Sequence, residues 1–165
     1  QHGILGAGTG QADQQCEFEQ RQCGGRQQQV AQADAFIAAW GYKYQYLHLR
    51  PRSYIRRHLD PAWEPLIPTP PFPEYPAGHS TQSAAAAAAL TVLIGSAPFS
   101  DSTSMSIGHA VRSFASFQAA SEEAGRSRVY AGVHFPSGNV GGLALGRCIG
   151  GRVGMIFTRP WMGVR

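Results

Sequence analysis

The chain has 165 residues, which suits one domain with a buried core of its own. Its 14 lysines and arginines against 10 acidic residues give a formal net charge of +4, a mild excess that fits a small anionic ligand as well as a polyanionic partner. No lysine- and arginine-rich tail with interleaved aromatic residues occurs, so nucleic-acid binding is not expected. The longest apolar run, 84–94, is shorter than the about 20 residues that span a bilayer, and no signal peptide is recognised. The sequence therefore predicts a soluble chain without a transmembrane segment and leaves its localisation unknown.

The first 30 residues are rich in glutamine and glycine and contain few large apolar side chains. Such a segment buries too little surface to offset its loss of conformational entropy, so it is predicted to be an arm, loop or docking segment. From Val30 to about residue 49, apolar residues such as Phe36 and Ile37 recur at helical spacing, which predicts a helix. Pro51 then limits that helix, because proline and the residue before it disfavour helical continuation.

The segment 51–76 carries eight of the 11 prolines, which predicts an ordered connection without regular helix. Long loops of this kind inside a compact domain are usually functional. After Gly78, an alanine-rich stretch that reaches Leu93 predicts a helix able to pack closely against its neighbours.

The second half of the chain is predicted to hold a loop at 95–108 and two further helices. The third helix is expected from Ala110 to about Val133, and a fourth, rich in small residues, from Val140 to about Val153. No segment alternates as a strand would. The predicted fold class is therefore all-α, a helical bundle, organised as an arm at 1–30, a helical domain at 31–153 and a C-terminal tail at 154–165.

The first candidate motif pairs Lys43 with Arg50, which is followed by Pro51. Seven residues make about two helical turns, so both cations can face the same side of the predicted helix. An ammonium and a guanidinium would bind different oxygens of one anion. Exposed cations at this spacing are also common on ordinary helix surfaces.

The second motif, Pro76-Ala77-Gly78-His79, precedes the alanine-rich helix. Gly78 allows backbone N–H groups to approach an oxyanion, and the start of a helix adds partial positive charge. His79 would then lie at the edge of the anion as an acid or base. The competing interpretation is an ordinary loop-to-helix turn.

The third motif places Arg128 near the end of the third predicted helix and His134 where that helix gives way to Phe135-Pro136. Arg128 would complete a set of cations around an anion, and His134 would be free to point into a cleft. A core or surface histidine is the alternative for His134.

Together, the motifs resemble the signature of the vanadium-dependent haloperoxidase and type 2 phosphatidic acid phosphatase superfamily, K-x6-RP, PSGH and SR-x5-H-x3-D, over residues 31–153. The resemblance implies a haloperoxidase-like, shortened helical bundle that uses vanadate with peroxide and halide, or a related phosphatase. It implies that Lys43, Arg50, Arg128 and the Gly78 N–H bind the oxygens of vanadate or phosphate. It further implies that His79 is the acid or base, and that His134 binds vanadium or, in a phosphatase, acts as the nucleophile.

Two positions depart from that signature: Ala77 stands where the family has serine, and Gly138 where it has aspartate. The carboxylate would orient the second histidine, and the adjacent Asn139 is a weaker candidate to accept the proton of His134. These departures support an alternative, a catalytically impaired family member that serves as a structural or assembly subunit. A protein partner or a second copy of the chain would then cover exposed helix faces.

Overall fold

The structure, a computed structural model, describes the backbone of residues 9–158 and the side chains of residues 25–158. Within that range, five α-helices and one small sheet follow each other along the chain. The helices are α1 (Thr9–Tyr46), α2 (Pro51–His58), α3 (Gly78–Ile94), α4 (Phe117–Tyr130) and α5 (Pro136–Thr158), and the antiparallel strands are β1 (Phe99–Asp101) and β2 (Arg112–Phe114). The predicted all-α helical bundle is confirmed.

The alanine-rich helix α3 lies at the centre and contacts α1, α4 and α5. Its contact with α5 is very close, because glycines recur at every fourth position on the facing side of α5. A Cβ added at Gly146 would overlap the carbonyl oxygen of Thr81, and one at Gly150 would overlap that of Ala85. The small residues of both helices therefore bring two backbones nearly into contact.

Helix α1 packs on α3 through small side chains, since Ala31, Ala35 and Ala39 are fully buried and Lys43 continues the same face. Phe36 and Ile37 lie on the exposed side of α1, and Ile37 is 69% exposed, whereas the half-buried Trp40 lies beside Gly78 at the start of α3. Close packing against alanines selects the small face of α1. The expectation that a protein partner or second copy covers the exposed face stays a prediction.

In the N-terminal segment, residues 9–30 are helical and continuous with α1, which excludes a loop there, while the expectation of an arm or docking segment stays a prediction. Residues 1–8 lie outside the described part. The segment after Pro51 was also expected to lack helix, yet it opens with α2. Proline is compatible with the first turn of a helix, where its missing N–H has no intrahelical partner.

The predicted third and fourth helices exist with different bounds. The region expected to start the third helix forms β2 instead, and α4 begins after Ser116, whose side chain accepts a hydrogen bond from the Ala119 N–H at 3.1 Å. Helix α4 ends by Tyr130, and Gly132 follows with a φ of 76°. Helix α5 starts at Pro136 and includes residues 154–158 of the expected tail, while 159–165 lie outside the described range.

Helix α5 is the one helix of the described residues that is long and apolar enough to cross a membrane, with a mean hydropathy of 1.3. A core helix in a bundle has the same properties, and α5 packs against α3 along its glycines. The expected absence of a transmembrane segment stays a prediction.

Candidate functional site

Of the six site residues predicted from the three motifs, five lie at the ends of four helices and one lies in a connection between helices. Lys43 lies in the last turn of α1, Arg50 directly precedes α2, Gly78 and His79 open α3, and Arg128 lies in the last turn of α4. His134 follows in the connection to α5. Arg50 Nη1 lies 3.0 Å from His134 Nε2, and Lys43 Nζ donates to the Pro76 carbonyl, two residues before Gly78, at 2.6 Å. The charge of Arg128 helps lower the pKa of both Arg50 and His79. The fold thus brings residues of all three motifs to one end of the bundle.

Lys43 is fully buried and uses its ammonium group to hold the loop before α3. Its Nζ donates to the carbonyl oxygens of Pro73 (3.0 Å), Glu74 (3.0 Å) and Pro76 (2.6 Å). An ammonium has three N–H donors, so a direct bond to an anion would replace one of these carbonyls. Burial, together with the charge of Arg50, lowers the pKa of Lys43 to about 8.

Arg50 is buried among backbone carbonyls but keeps unused donors. Its Nε donates to the Phe72 carbonyl at 2.9 Å and its Nη1 to the Val133 carbonyl at 2.7 Å. Its Nη2 is buried without a partner among the described residues, as is Nε of Arg128. Burial lowers the pKa of Arg50 to about 10, a value at which the group is still charged at neutral pH. Two buried guanidinium nitrogens are therefore left to donate to a ligand.

His134 is held from both sides of its ring. Nδ1 lies 2.7 Å from Glu74 Oε1, and Nε2 lies 3.0 Å from Arg50 Nη1. Because a guanidinium can only donate, Nε2 must accept and the ring proton must be on Nδ1, donated to Glu74. Burial is the largest cause that lowers the pKa of His134, and the charges of Arg50 and Lys43 act in the same direction. The imidazole is therefore neutral, with its lone pair on Nε2.

Glu74 is a functional candidate that lies outside the three motifs. Its side chain is fully buried, and Oε1 also accepts the Phe135 N–H at 3.1 Å. The proposed role of Asn139 as acceptor for His134 is wrong, because Asn139 Oδ1 accepts the Ser80 hydroxyl at 2.7 Å while Glu74 takes the histidine proton. The sequence signal was a single carboxylate in a proline-rich loop without other charges after Glu64.

The start of α3 offers backbone donors but no side-chain cap. Ala77 occupies the N-cap position and is fully buried, and the first intrahelical bond runs from the Thr81 N–H to the Ala77 carbonyl at 3.0 Å. The N–H groups of Gly78 and His79 precede that bond and have no intrahelical acceptor. His79 is exposed, and partial desolvation and the charge of Arg128 lower its pKa, so its ring is neutral at neutral pH.

The charge balance of this cluster favours an anion. Lys43 and Arg50 lie near the carboxylate of Glu74, and Arg128 lies near Arg50, so three cations and one carboxylate leave an excess of two positive charges. Buried charge without a counterion is costly, and the two guanidinium nitrogens without a partner in the described part of the chain would bond directly to oxyanion oxygens. The residues present therefore fit vanadate or phosphate, with Nε2 of the buried His134 as a neutral nitrogen ligand.

Comparison with known proteins assigns the family. The family model of the VCPO second helical-bundle domain matches residues 27–163. The chain belongs to this family. The structure of the first bacterial vanadium-dependent iodoperoxidase is 43% identical to the chain, with a TM-score of 0.73, over 77% of this chain and 31% of that protein. The predicted membership of a vanadium haloperoxidase-like superfamily is thus confirmed, while the phosphatase part of that prediction remains untested.

Two structures of a bacterial vanadium-dependent chloroperoxidase share the fold. The holo-type structure has a TM-score of 0.66 and the apo-type structure 0.65, each with 18% identity over 78% of this chain. They are covered over 34% and 35% of their own length, so the chain spans about a third of the solved proteins that it matches. No match was found among curated proteins.

Proposed function

We propose that this domain binds vanadate at the cluster of Lys43, Arg50, Arg128 and His134 and supports the oxidation of halide by peroxide. The observation that carries the proposal is the excess of positive charge around the buried Lys43 and Arg50, with buried donors on Arg50 and Arg128 that have no partner among the described residues and a neutral Nε2 on His134. The 43% identical structure is that of an iodoperoxidase, which makes iodide the first halide to test.

Each residue has a distinct part in this proposal. The free N–H groups of Arg50 and Arg128 would bind vanadate oxygens, together with the N–H of Gly78 at the start of α3. Lys43 contributes positive charge and fixes the loop that precedes α3. When bound, vanadate supplies a Lewis-acid centre that polarises peroxide toward attack by halide.

The two histidines differ in their exposure to solvent, and this difference suits them to different roles. His134 is buried, and its Nε2 is the atom that would bind vanadium, so Arg50 Nη1 would give up its contact with that lone pair. His79 is exposed and neutral, so it can take a proton from a peroxide that arrives from solvent and return it later.

Ala77 makes activity weaker than in a family member with serine at this position. A serine hydroxyl would add one preorganised donor, and the loss of such a donor costs roughly 3 kcal/mol in the transition state of enzymes that depend on it. The donors of Arg50, Arg128 and Gly78 remain. The comparisons give no support to the alternative of a structural subunit.

The experiment is a vanadate titration of the purified chain in the presence of peroxide and a halide. Oxidation of iodide is measured as triiodide formation, and oxidation of bromide is measured as bromination of a phenol dye. We expect turnover that depends on vanadate and saturates with it, and its loss in His134→Ala. His109→Ala is the matched control, because His109 is exposed in the loop between β1 and β2 and outside the cluster.

A folded chain that oxidises neither halide at saturating vanadate would contradict the proposal. Hydrolysis of a phosphomonoester is measured on the same protein without vanadate. Hydrolysis that is lost in His134→Ala, without halide oxidation in the vanadate titration, would assign the site to the related phosphatase chemistry.

A further inference from the structure

We propose that Glu74 is the positioning residue for His134, so that the carboxylate of this site comes from the loop before α3 instead of from position 138. The inference rests on the proposed function, since it concerns the histidine that would bind vanadium. It assigns a part to a residue that lies outside K-x6-RP, PSGH and SR-x5-H-x3-D.

Glu74 occupies the space that a side chain at position 138 would need. A Cβ built on Gly138 would overlap Glu74 Oε1 and would lie 2.7 Å from its Cδ and 2.8 Å from its Oε2. Gly138 is buried at the start of α5, and its carbonyl accepts the Ala77 N–H at 3.0 Å. A carboxylate can therefore reach this place from position 74 or from position 138, but not from both at once.

The Glu74 side chain is fixed well enough to orient an imidazole. Its backbone N–H donates to the His48 carbonyl at 2.9 Å, and its backbone carbonyl accepts from Lys43 Nζ at 3.0 Å. At the other end, Oε1 accepts from both the Phe135 N–H and His134 Nδ1. The side chain is thus held at the backbone and at the carboxylate.

The contact sets both the ring orientation and the tautomer of His134. With the proton on Nδ1 and donated to Glu74, the lone pair of Nε2 faces the guanidinium of Arg50 and the place proposed for vanadate. Carboxylate partners of metal-bound histidines act in this way, by fixing the ring and its tautomer and by making the ligand more basic.

The test removes the carboxylate from position 74 or moves it to position 138. Glu74→Gln keeps the volume of the side chain, and Glu74→Ala with Gly138→Asp moves the carboxylate to α5. Glu74→Ala with Gly138→Ala is the matched control, which fills position 138 without a carboxylate. Vanadate affinity is measured for each protein, and the Nδ1 proton of His134 is observed by NMR in ¹⁵N-histidine-labelled protein without vanadate.

We expect Glu74→Gln to weaken vanadate binding about 10–100-fold and to shift the Nδ1 proton resonance upfield, because a neutral acceptor replaces a charged one. The Glu74→Ala/Gly138→Asp protein should recover most of the affinity and the downfield resonance, and the alanine double variant should recover neither. Recovery in both double variants would reduce Glu74 to a packing role and overturn the proposal.

The two proposals fail in different ways. If the unmodified protein binds no vanadate, the proposed function fails, and the NMR comparison of the same four proteins still decides the part of Glu74. If vanadate binds equally to the unmodified and Glu74→Gln proteins and the Nδ1 resonance is unchanged, the positioning proposal is overturned while the function stands. Glu74→Gln decides the case if the two double variants do not fold.

Discussion

Ala77 combines two roles at one residue, the N-cap of α3 and the missing donor of the oxyanion cluster. Serine is strongly preferred to alanine at an N-cap, and the exchange is worth about 1 kcal/mol of stability. A hydroxyl that also donates to bound vanadate would add a charge-assisted hydrogen bond. Ala77→Ser is therefore expected to stabilise the free protein by about 1 kcal/mol and to tighten vanadate binding roughly tenfold.

Urea unfolding and vanadate titration measure these two effects separately. Ser116→Ala makes the reverse exchange at the N-cap of α4, where the hydroxyl accepts the Ala119 N–H and lies outside the cationic cluster. It should lose about 1 kcal/mol of stability with no change in vanadate affinity. Weaker vanadate binding in Ala77→Ser would mean that the buried site has no room for the hydroxyl.

The cations and histidines of the candidate site could be proposed from the sequence because their identity and spacing are local properties, and their roles stay predictions. The structure brings Arg50 and His134 together across 84 residues, as the family pattern implied. Glu74 could not be found in this way, because its contact with His134 spans 60 residues. The contact also depends on the absence of a side chain at Gly138, which leaves room for the Glu74 carboxylate. The hydrogen bonds from Lys43 Nζ to three backbone carbonyls also depend on the path of the loop before α3. The spacing of motif residues does not predict that path.

At the scale of elements, the contact between α3 and α5 depends on glycine at specific positions of α5. Gly146→Ala would force a methyl group into the Thr81 carbonyl and is expected to destabilise the protein by about 1–3 kcal/mol. Gly151→Ala is the matched control, because a Cβ at Gly151 has nothing within 4 Å. It should stabilise α5 by about 0.5–1 kcal/mol, since alanine loses less backbone entropy than glycine.

Thermal or urea unfolding of both variants gives the comparison. Equal effects of the two substitutions would show that α5 moves away from α3 at little cost. The same contact positions the site, since α5 begins two residues after His134 and carries Gly138 against Glu74.

The helices themselves were predictable, whereas several of their ends were not. Alanine content and periodicity identified α3 and the second half of α1. The β1–β2 pair was missed because it has only three residues in each strand, paired Phe99 to Phe114 and Asp101 to Arg112, too few to show alternation. The buried face of α1 was not predictable from hydrophobicity, because close packing on α3 selects alanine over larger residues.

For the whole molecule, the cationic cluster joins the ends of α1, α2, α3 and α4, so its ligand state should affect global stability. A ligand at 100 times its Kd stabilises a folded protein by about 2.7 kcal/mol. For a chain of this size, each kcal/mol raises Tm by about 2–4 °C. A saturating tetrahedral oxyanion should therefore raise Tm by several degrees at neutral pH. Arg128→Gln should reduce this gain, whereas the exposed Arg152→Gln on α5 should not.

The increase in Tm on anion binding should also depend on pH, because the pKa of Lys43 is lowered from 10.5 to about 8. Between these values the unfolded chain keeps the proton that the folded chain has lost, so the unfolded chain binds more protons and Lys43 makes stability rise with pH. A bound anion stabilises the protonated form of Lys43, so anion binding is coupled to proton uptake by Lys43 at pH values above its lowered pKa. Anion binding should weaken as pH rises above about 8.

Thermal unfolding with and without sulfate from pH 7 to pH 9.5 separates these effects, because the charge of sulfate is constant over this range. The increase in Tm caused by sulfate should be largest at pH 7 and should shrink above about pH 8, as Lys43 loses its proton in the free protein. A constant increase across the range would mean that the Lys43 ammonium stays protonated without an anion. The three carbonyls around it would then be sufficient to stabilise its charge.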